Sequence, residues 1–176
     1  LDSLTVLEDD SLTITLTATD VDQGDSLSYL FLGVNWLTLK GKQLVGAPTN
    51  APVGKHVITA VVSDGQAKDT LNLSLVVKNV NDAPQWDKAL NLTPQNQIWS
   101  EDSATTFSVY VLDVDPGELI TLDTTKLPSF VSLAQTLRDS SQFEFQFKVN
   151  PTQKDTGNHA FILEFKDKEG ATLTRE

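Results

Sequence analysis

Leu71-Asn72-Leu73-Ser74-Leu75-Val76-Val77-Lys78-Asn79-Val80-Asn81-Asp82-Ala83-Pro84 is the stretch on which the reading of the chain turns. Leu71, Leu73, Leu75 and Val77 recur at the period of a half-buried β-strand, whose successive side chains point to opposite faces. Pro84 stops that strand from running on, because proline has no N–H to give to a ladder. Residues 78–84 are therefore a seam near the middle of 176 residues, with one domain over 1–82 and a second over 83–176. Asn79, Asn81 and Asp82 bring side-chain oxygens to a place where a linker needs only small flexible residues. Oxygen donors of that kind point to a hard cation at the joint.

Toward the N-terminus, Leu12, Ile14, Leu16 and Ala18 alternate with Thr13, Thr15, Thr17 and Thr19, which predicts a β-branched, half-buried strand. It runs into Asp20-Val21-Asp22-Gln23-Gly24-Asp25. A second strand carries Leu27, Tyr29 and Phe31; Asn35-Trp36-Leu37-Thr38-Leu39 then leads into a loop punctuated by Gly41, Gly46, Pro48, Pro52 and Gly54. Residues 57–62 are apolar nearly throughout and predict a buried strand, which ends at the turn signal Asp64-Gly65. No sustained helical period occurs.

The second half repeats the first. Glu8, Asp20, Asp22, Gly24 and Leu27 recur 93 positions later as Glu101, Asp113, Asp115, Gly117 and Ile120. Trp36 and Leu39 recur at 94 as Phe130 and Leu133, and Pro48, Thr49, Gly54, His56 and Asp64 recur at 103 as Pro151, Thr152, Gly157, His159 and Asp167. The step from 94 to 103 is an insertion between Leu133 and Pro151. There Phe143, Phe145, Phe147 and Val149 alternate with polar residues, so a longer hairpin is expected. Two tandem copies of one unit follow. Roughly seven short strands in about 90 residues fit a Greek-key β-sandwich, so the fold class is all-β, two sandwiches in series. After Asp64 the first copy has residues 71–77 to complete its sheet; after Asp167 the second has only 171–176, so it is expected to lack its last strand.

Composition narrows the function. With 24 acidic against 13 basic residues and a net charge of −11, the chain disfavours nucleic acid and acidic membrane surfaces and favours divalent cations. It has no cysteine, which removes disulfides, thiolate nucleophiles and thiolate metal sites. No apolar run is long enough to span a bilayer. Methionine is also absent, and a segment of a longer polypeptide is the expectation. No Gly-x-Ser-x-Gly elbow, phosphate loop or His-Glu-x-x-His is present. Carboxylates repeated in both copies make poor asymmetric acid and base pairs, and a slender sandwich seldom opposes two across a cleft. A non-catalytic protein is expected. The turn at Asp20 is no EF-hand, since glycine precedes the third aspartate and the twelfth position is Phe31.

Glu8-Asp9, the segment 18–27, Trp36-Leu37, Gly46-Ala47-Pro48-Thr49, Val53-Gly54, Ser63-Asp64-Gly65 and Asn79-Val80-Asn81-Asp82-Ala83-Pro84 together resemble the cadherin-like repeats of dystroglycan type. Such repeats occur in tandem in large bacterial surface proteins and adhesins, in some polysaccharide-degrading systems and in dystroglycan. The resemblance covers the first unit throughout and the second more thinly, where Phe130-Val131 replaces Trp-Leu and Asp167-Lys168 replaces Asp-Gly. It implies calcium between successive domains. Carried onto this chain, the ligands are Glu8 of the first unit, Asn79, Asn81 and Asp82 of the linker, and Asp113, Asp115 and Asp167 of the second, with Glu118 as an addition. Asp20, Asp22 and Asp64 would face a preceding repeat, and Glu101, with Asp155, a following one. Pro52 stands where cadherins proper supply a further acidic residue, which implies fewer ions or weaker binding. The implied setting is extracellular or cell-surface, with adjacent repeats of the same polypeptide as partners and a polysaccharide or a surface protein as a further ligand.

Other roles compete at several positions. Asp9, Asp25 and Asp102 are read as capping their own turns. His56 and His159 lack a second nitrogen or sulfur ligand nearby and are read as structural. Trp36 and Trp99 align with Phe130 and Val6 and are expected in the cores. Trp86 has no counterpart: it packs between domains, or stacks on a sugar ring if the chain is instead a carbohydrate-binding module.

Overall fold

The computed structural model describes residues 3–22, 24–90 and 97–175. The chain divides into two compact units, Leu1–Val80 and Asn81–Glu176. Among the described residues there is no α-helix, only strands and two short 3-10 turns, and no helix is long and apolar enough to cross a membrane.

The first unit is a sandwich of two sheets. One sheet has the order β1 (Ser3–Leu7), β7 (Lys68–Lys78), β6 (Gly54–Ser63), β3 (Ser28–Leu32); the other has β2 (Leu12–Thr15), β5 (Gln43–Gly46), β4 (Leu37–Lys40). All neighbours are antiparallel except β1 and β7, which run parallel from Ser3 opposite Ser74 to Leu7 opposite Lys78. A chain that returns to pair its first strand with its last must cross between layers, the Greek-key signature. Val6, Leu16, Leu37, Leu44, Ile58, Ala60, Leu75 and Val77 form the core. The expectation of a fully buried strand over 57–62 needs correction: Ile58 is buried but Val57 is exposed. Strand β6 is central in its sheet, yet only one face of that sheet is covered, so alternate residues meet water despite their apolar character.

The second unit repeats the plan. Its sheets are β11 (Val131–Asp139), β12 (Gln142–Val149), β9 (Thr105–Leu112), β8 (Gln85–Trp86), and β10 (Thr121–Leu122), β13 (Leu163–Lys166), β14 (Thr172–Arg175). The insertion forms the expected longer hairpin: β11 and β12 pair from Val131 opposite Val149 to Asp139 opposite Gln142, with an irregularity between Leu133 and Gln135. Ser140 takes a positive φ of 54° at its tip. Phe143, Phe145, Phe147 and Val149 all point into the core with Phe165, Val109 and Val111, and Phe145 and Phe165 meet at 4.6 Å between ring centroids. The expectation that this unit lacks its last strand needs correction: β14 is present and pairs antiparallel with β13, from Leu163 opposite Arg175 to Lys166 opposite Thr172.

The two copies match below the level of strands. Asp9 and Asp102 both adopt positive φ, 64° and 54°, and their N–H groups donate to Pro48 O and Pro151 O at 2.7 and 2.9 Å. His56 Nε2 bonds to Pro52 O and His159 Nε2 to Asp155 O, the same four-residue reach in each copy, which gives both histidines a structural post. Trp36 and Trp99 lie against their own cores.

Candidate metal centre

In the second unit, β9 ends where Asp113 turns the chain. The Asp113 N–H donates to Ser141 O at 2.8 Å, and its Oδ1 accepts the N–H of Asp115 at 3.0 Å. An aspartate that bonds the backbone two residues on makes such a turn locally. Directly after β13, the antiparallel neighbour of β10, comes the turn of Asp167, whose Oδ1 accepts the N–H groups of Gly170 and Ala171 at 2.5 and 2.7 Å. Its Oδ2 accepts Asn81 Nδ2 at 2.9 Å. Asp115 Oδ2 accepts the N–H of Asp82 at 2.8 Å, and Glu118 Oε1 accepts the N–H groups of Leu119 and Lys168 at 2.9 and 2.6 Å.

Backbone amides thus aim acidic side chains from separate loops at one place. Asp113, Asp115, Glu118 and Asp167 are all buried, and Asp113, Asp115 and Glu118 each offer an oxygen within 4.8 Å of the others'. Among the described residues no lysine or arginine side chain pairs with Asp113, Glu118 or Asp167. Burial above all, with the charges of Asp115, Glu118 and Asp167 adding and the Asp115 N–H opposing, pushes the Asp113 carboxyl up to about 6. Its Oδ2, in a residue 2% exposed, has no hydrogen-bond partner. A buried carboxylate oxygen left so is costly unless something positive meets it. Carboxylate and amide oxygens drawn from several loops suit calcium, which takes six to eight oxygens in flexible geometry, better than magnesium with its tight octahedron. The residues present therefore fit the ion that the repeats imply.

In the first unit the same devices recur. Asp20 Oδ1 accepts the Asp22 N–H at 2.9 Å, and Asp64 Oδ1 accepts the N–H groups of Gln66 and Ala67, both at 2.7 Å. Asp20, Asp22 and Asp25 gather oxygens within 4.8 Å, but all three are exposed. Glu8 is buried; its Oε1 accepts the Val80 N–H at 2.6 Å and its own N–H donates to Lys78 O at 3.0 Å. That fixes Glu8 beside Asn79 along the chain. Glu101 lies exposed in a turn. The Asp155 carboxylate is spent on a cap, accepting the N–H and hydroxyl of Thr152 at 2.9 and 2.7 Å, which holds it below the ordinary carboxylate range. Trp86 is engaged as well: its ring meets Phe165 edge-on at 5.4 Å and the Arg175 guanidinium lies 5.4 Å from its centroid.

Sequence reasoning gave Glu118 only as an addition to the site. The signal was available, since Asp25 and Glu118 are 93 apart and so are counterparts. Glu169, whose carboxyl is raised by desolvation and by its hydrogen bond to Glu118, had no such signal.

No family model matches the chain, and no curated protein matches it. Solved structures similar to it include the endo-fucoidan hydrolase MfFcnA4 from glycoside hydrolase family 107, at 22% identity and TM-score 0.41 over 99% of this chain and 27% of that one. Human Protocadherin-24 EC1-2, Form II, is similar at 17% identity and TM-score 0.43 over 98% of this chain and 90% of that one. Drosophila N-cadherin EC1-4 is similar at 14% identity and TM-score 0.44, over 98% and 46%. The chain thus spans about a quarter of the length of the hydrolase.

Proposed function

We propose that this chain is a non-catalytic, calcium-binding segment of tandem β-sandwich repeats in an extracellular or cell-surface protein, a spacer or adhesive stalk. Asp113, Asp115 and Asp167 with Glu118 would hold the ion from the second unit, joined by Asn81 and Asp82. Glu8 and Asn79 are the ligands that the first unit would bring. Without the ion, like charges repel and residues 78–84 are free to bend; with it, groups from both sides of the seam are tied and the segment stiffens. The observation that carries this reading is the unpartnered, buried Oδ2 of Asp113 among three further carboxylates.

Calorimetric titration with calcium tests the binding, and small-angle scattering with calcium and with chelator tests the stiffening. Saturable binding that Asp113→Ala abolishes, with a more extended and narrower distribution of dimensions, is the expected result. Unchanged dimensions with and without calcium would remove the stiffening role.

A further inference from the structure

One ladder closes at different places in the two copies. In the first unit β2 pairs with β5 from Leu12 opposite Gly46 to Thr15 opposite Gln43, and the ladder closes where the Leu16 N–H donates to Lys42 O at 2.8 Å. Gly41, at a φ of 62°, and Lys42 form the tip of the β4–β5 hairpin, so β5 offers β2 nothing farther along. Asp20 lies four residues beyond Leu16. In the second unit β9 pairs with β12 from Thr105 opposite Val149 to Leu112 opposite Gln142, and the closing bond is the one from the Asp113 N–H to Ser141 O. Asp113 is the counterpart of Asp20. The same bond has moved four residues along the strand and lands on the first carboxylate of the candidate centre.

The insertion accounts for the move. The step in offset from 94 to 103 is nine residues. Residues 136–139 and 142–145 add four rungs to the hairpin, from Thr136 opposite Phe145 to Asp139 opposite Gln142, and Ala134, at the irregularity between Leu133 and Gln135, is the ninth. Four is an even number, so Phe143 and Phe145 face the core as Phe147 and Val149 do; an odd number would turn one set outward. The odd residue is taken up in the bulge. From Asp113 the order passes into its loop: Oδ1 holds the Asp115 N–H, and Asp115 O accepts the Glu118 N–H at 3.4 Å. An ion that meets backbone already ordered binds without bearing that entropy cost.

We propose that the four-rung extension of the β11–β12 hairpin is a positioning device for the cation loop, with Ser141 O as the positioning group. By fixing the backbone at Asp113 before an ion arrives, it sets the calcium affinity of Asp113, Asp115 and Glu118. The inference rests on the calcium reading above.

Two variants of the whole chain are compared with the native chain by calorimetric titration with calcium chloride. One deletes residues 138, 139, 142 and 143, which removes two rungs, keeps the Ser140-Ser141 tip and draws the closing bond back to Val111. The other, Gln142→Ala with Phe143→Ala, keeps the hairpin length but loses the same core ring and the same Gln142 bond to Asp87. Expected is binding at least about tenfold weaker in the shortened chain than in the alanine chain, the cost of ordering one or two further residues. Equal affinity in the two variants overturns the proposal. Amide exchange in the native chain keeps the test open should the shortened chain fail to fold. With chelator present, the Asp113 N–H is expected to exchange as slowly as the paired amides of β9. Fast exchange there that slows only with calcium overturns the proposal, because the ion then orders the loop. A native chain that takes up no calcium removes the calcium reading and this inference with it, whereas native binding that the deletion leaves unchanged removes this inference alone.

Discussion

The Asp115 N–H donates to Asp113 Oδ1 at 3.0 Å and leaves Oδ2 of the same carboxylate buried without a partner. One oxygen shapes the turn; the other, under the proposed function, would meet the ion. Asp113→Asn keeps the first role and removes the charge, and its new N–H₂ faces carboxylate acceptors. Without calcium it is expected to stabilise the second unit by about 1 to 3 kcal/mol. With calcium it should lose the stabilisation that the native chain gains, about 2.7 kcal/mol when calcium is at roughly a hundred times Kd. Thermal unfolding of both proteins with calcium and with chelator checks the crossing of the two effects.

The raised Asp113 carboxyl also sets a pH dependence. The folded unit holds this proton up to about pH 6, whereas the unfolded chain releases it near the ordinary aspartate value of about 3.9. The folded state therefore binds more protons between those values, and stability falls as pH rises through that window. With chelator present, urea unfolding is expected to show a loss of about 3 kcal/mol from this group between about pH 4 and 7. Stability that climbs steadily over that interval would contradict it.

Trp36 Nε1 is buried with no hydrogen-bond partner, and its counterpart is Phe130. Trp36→Phe gives up some apolar area but removes an unsatisfied donor, which is itself worth about 1 to 3 kcal/mol. The variant is expected within about 1 kcal/mol of the native chain by denaturant unfolding, whereas Trp36→Ala should cost about 3 to 5 kcal/mol.

Gly54 and Gly157 have φ of 125° and 127°, and a Cβ at either would meet nothing within 4 Å. Only backbone strain opposes alanine there. Gly54→Ala and Gly157→Ala should each destabilise their own unit by about 1 to 3 kcal/mol, by nearly equal amounts. A large difference between them, measured from the two unfolding transitions, would show that the copies are not conformationally equivalent at this point.

Much of the arrangement could be read from residues alone because the chain says it twice. Asp20 and Asp22 make the same bond as Asp113 and Asp115, and Asp64 and Asp167 each accept two backbone N–H groups ahead of them, two and three residues on in the first copy and three and four in the second. Alternation located β7 and β12 because one face of each is buried. Alternation could not show that Val57 is exposed, since an apolar residue on an uncovered sheet face looks the same in sequence as one in a core. Nor could it reveal the unpartnered oxygen of Asp113, which depends on burial among Asp115 and Glu118 of its own loop and Asp167 of another. Trp86 defeated the alignment for a simpler reason: 93 positions before it lies ahead of Leu1. Its contact with Phe165 gave it a place that no spacing rule assigns.

The parallel pairing of β1 with β7 has a mechanical consequence. A pull that separates the two ends of the first unit draws β1 from its Ser3 end and β7 from its Lys78 end, in opposite directions along the same axis. The rungs between Ser3 and Ser74 through Leu7 and Lys78 are then loaded in shear, all together, rather than opened one after another as in a zipper. Tension along the chain therefore meets the concerted strength of this short ladder before it reaches the core.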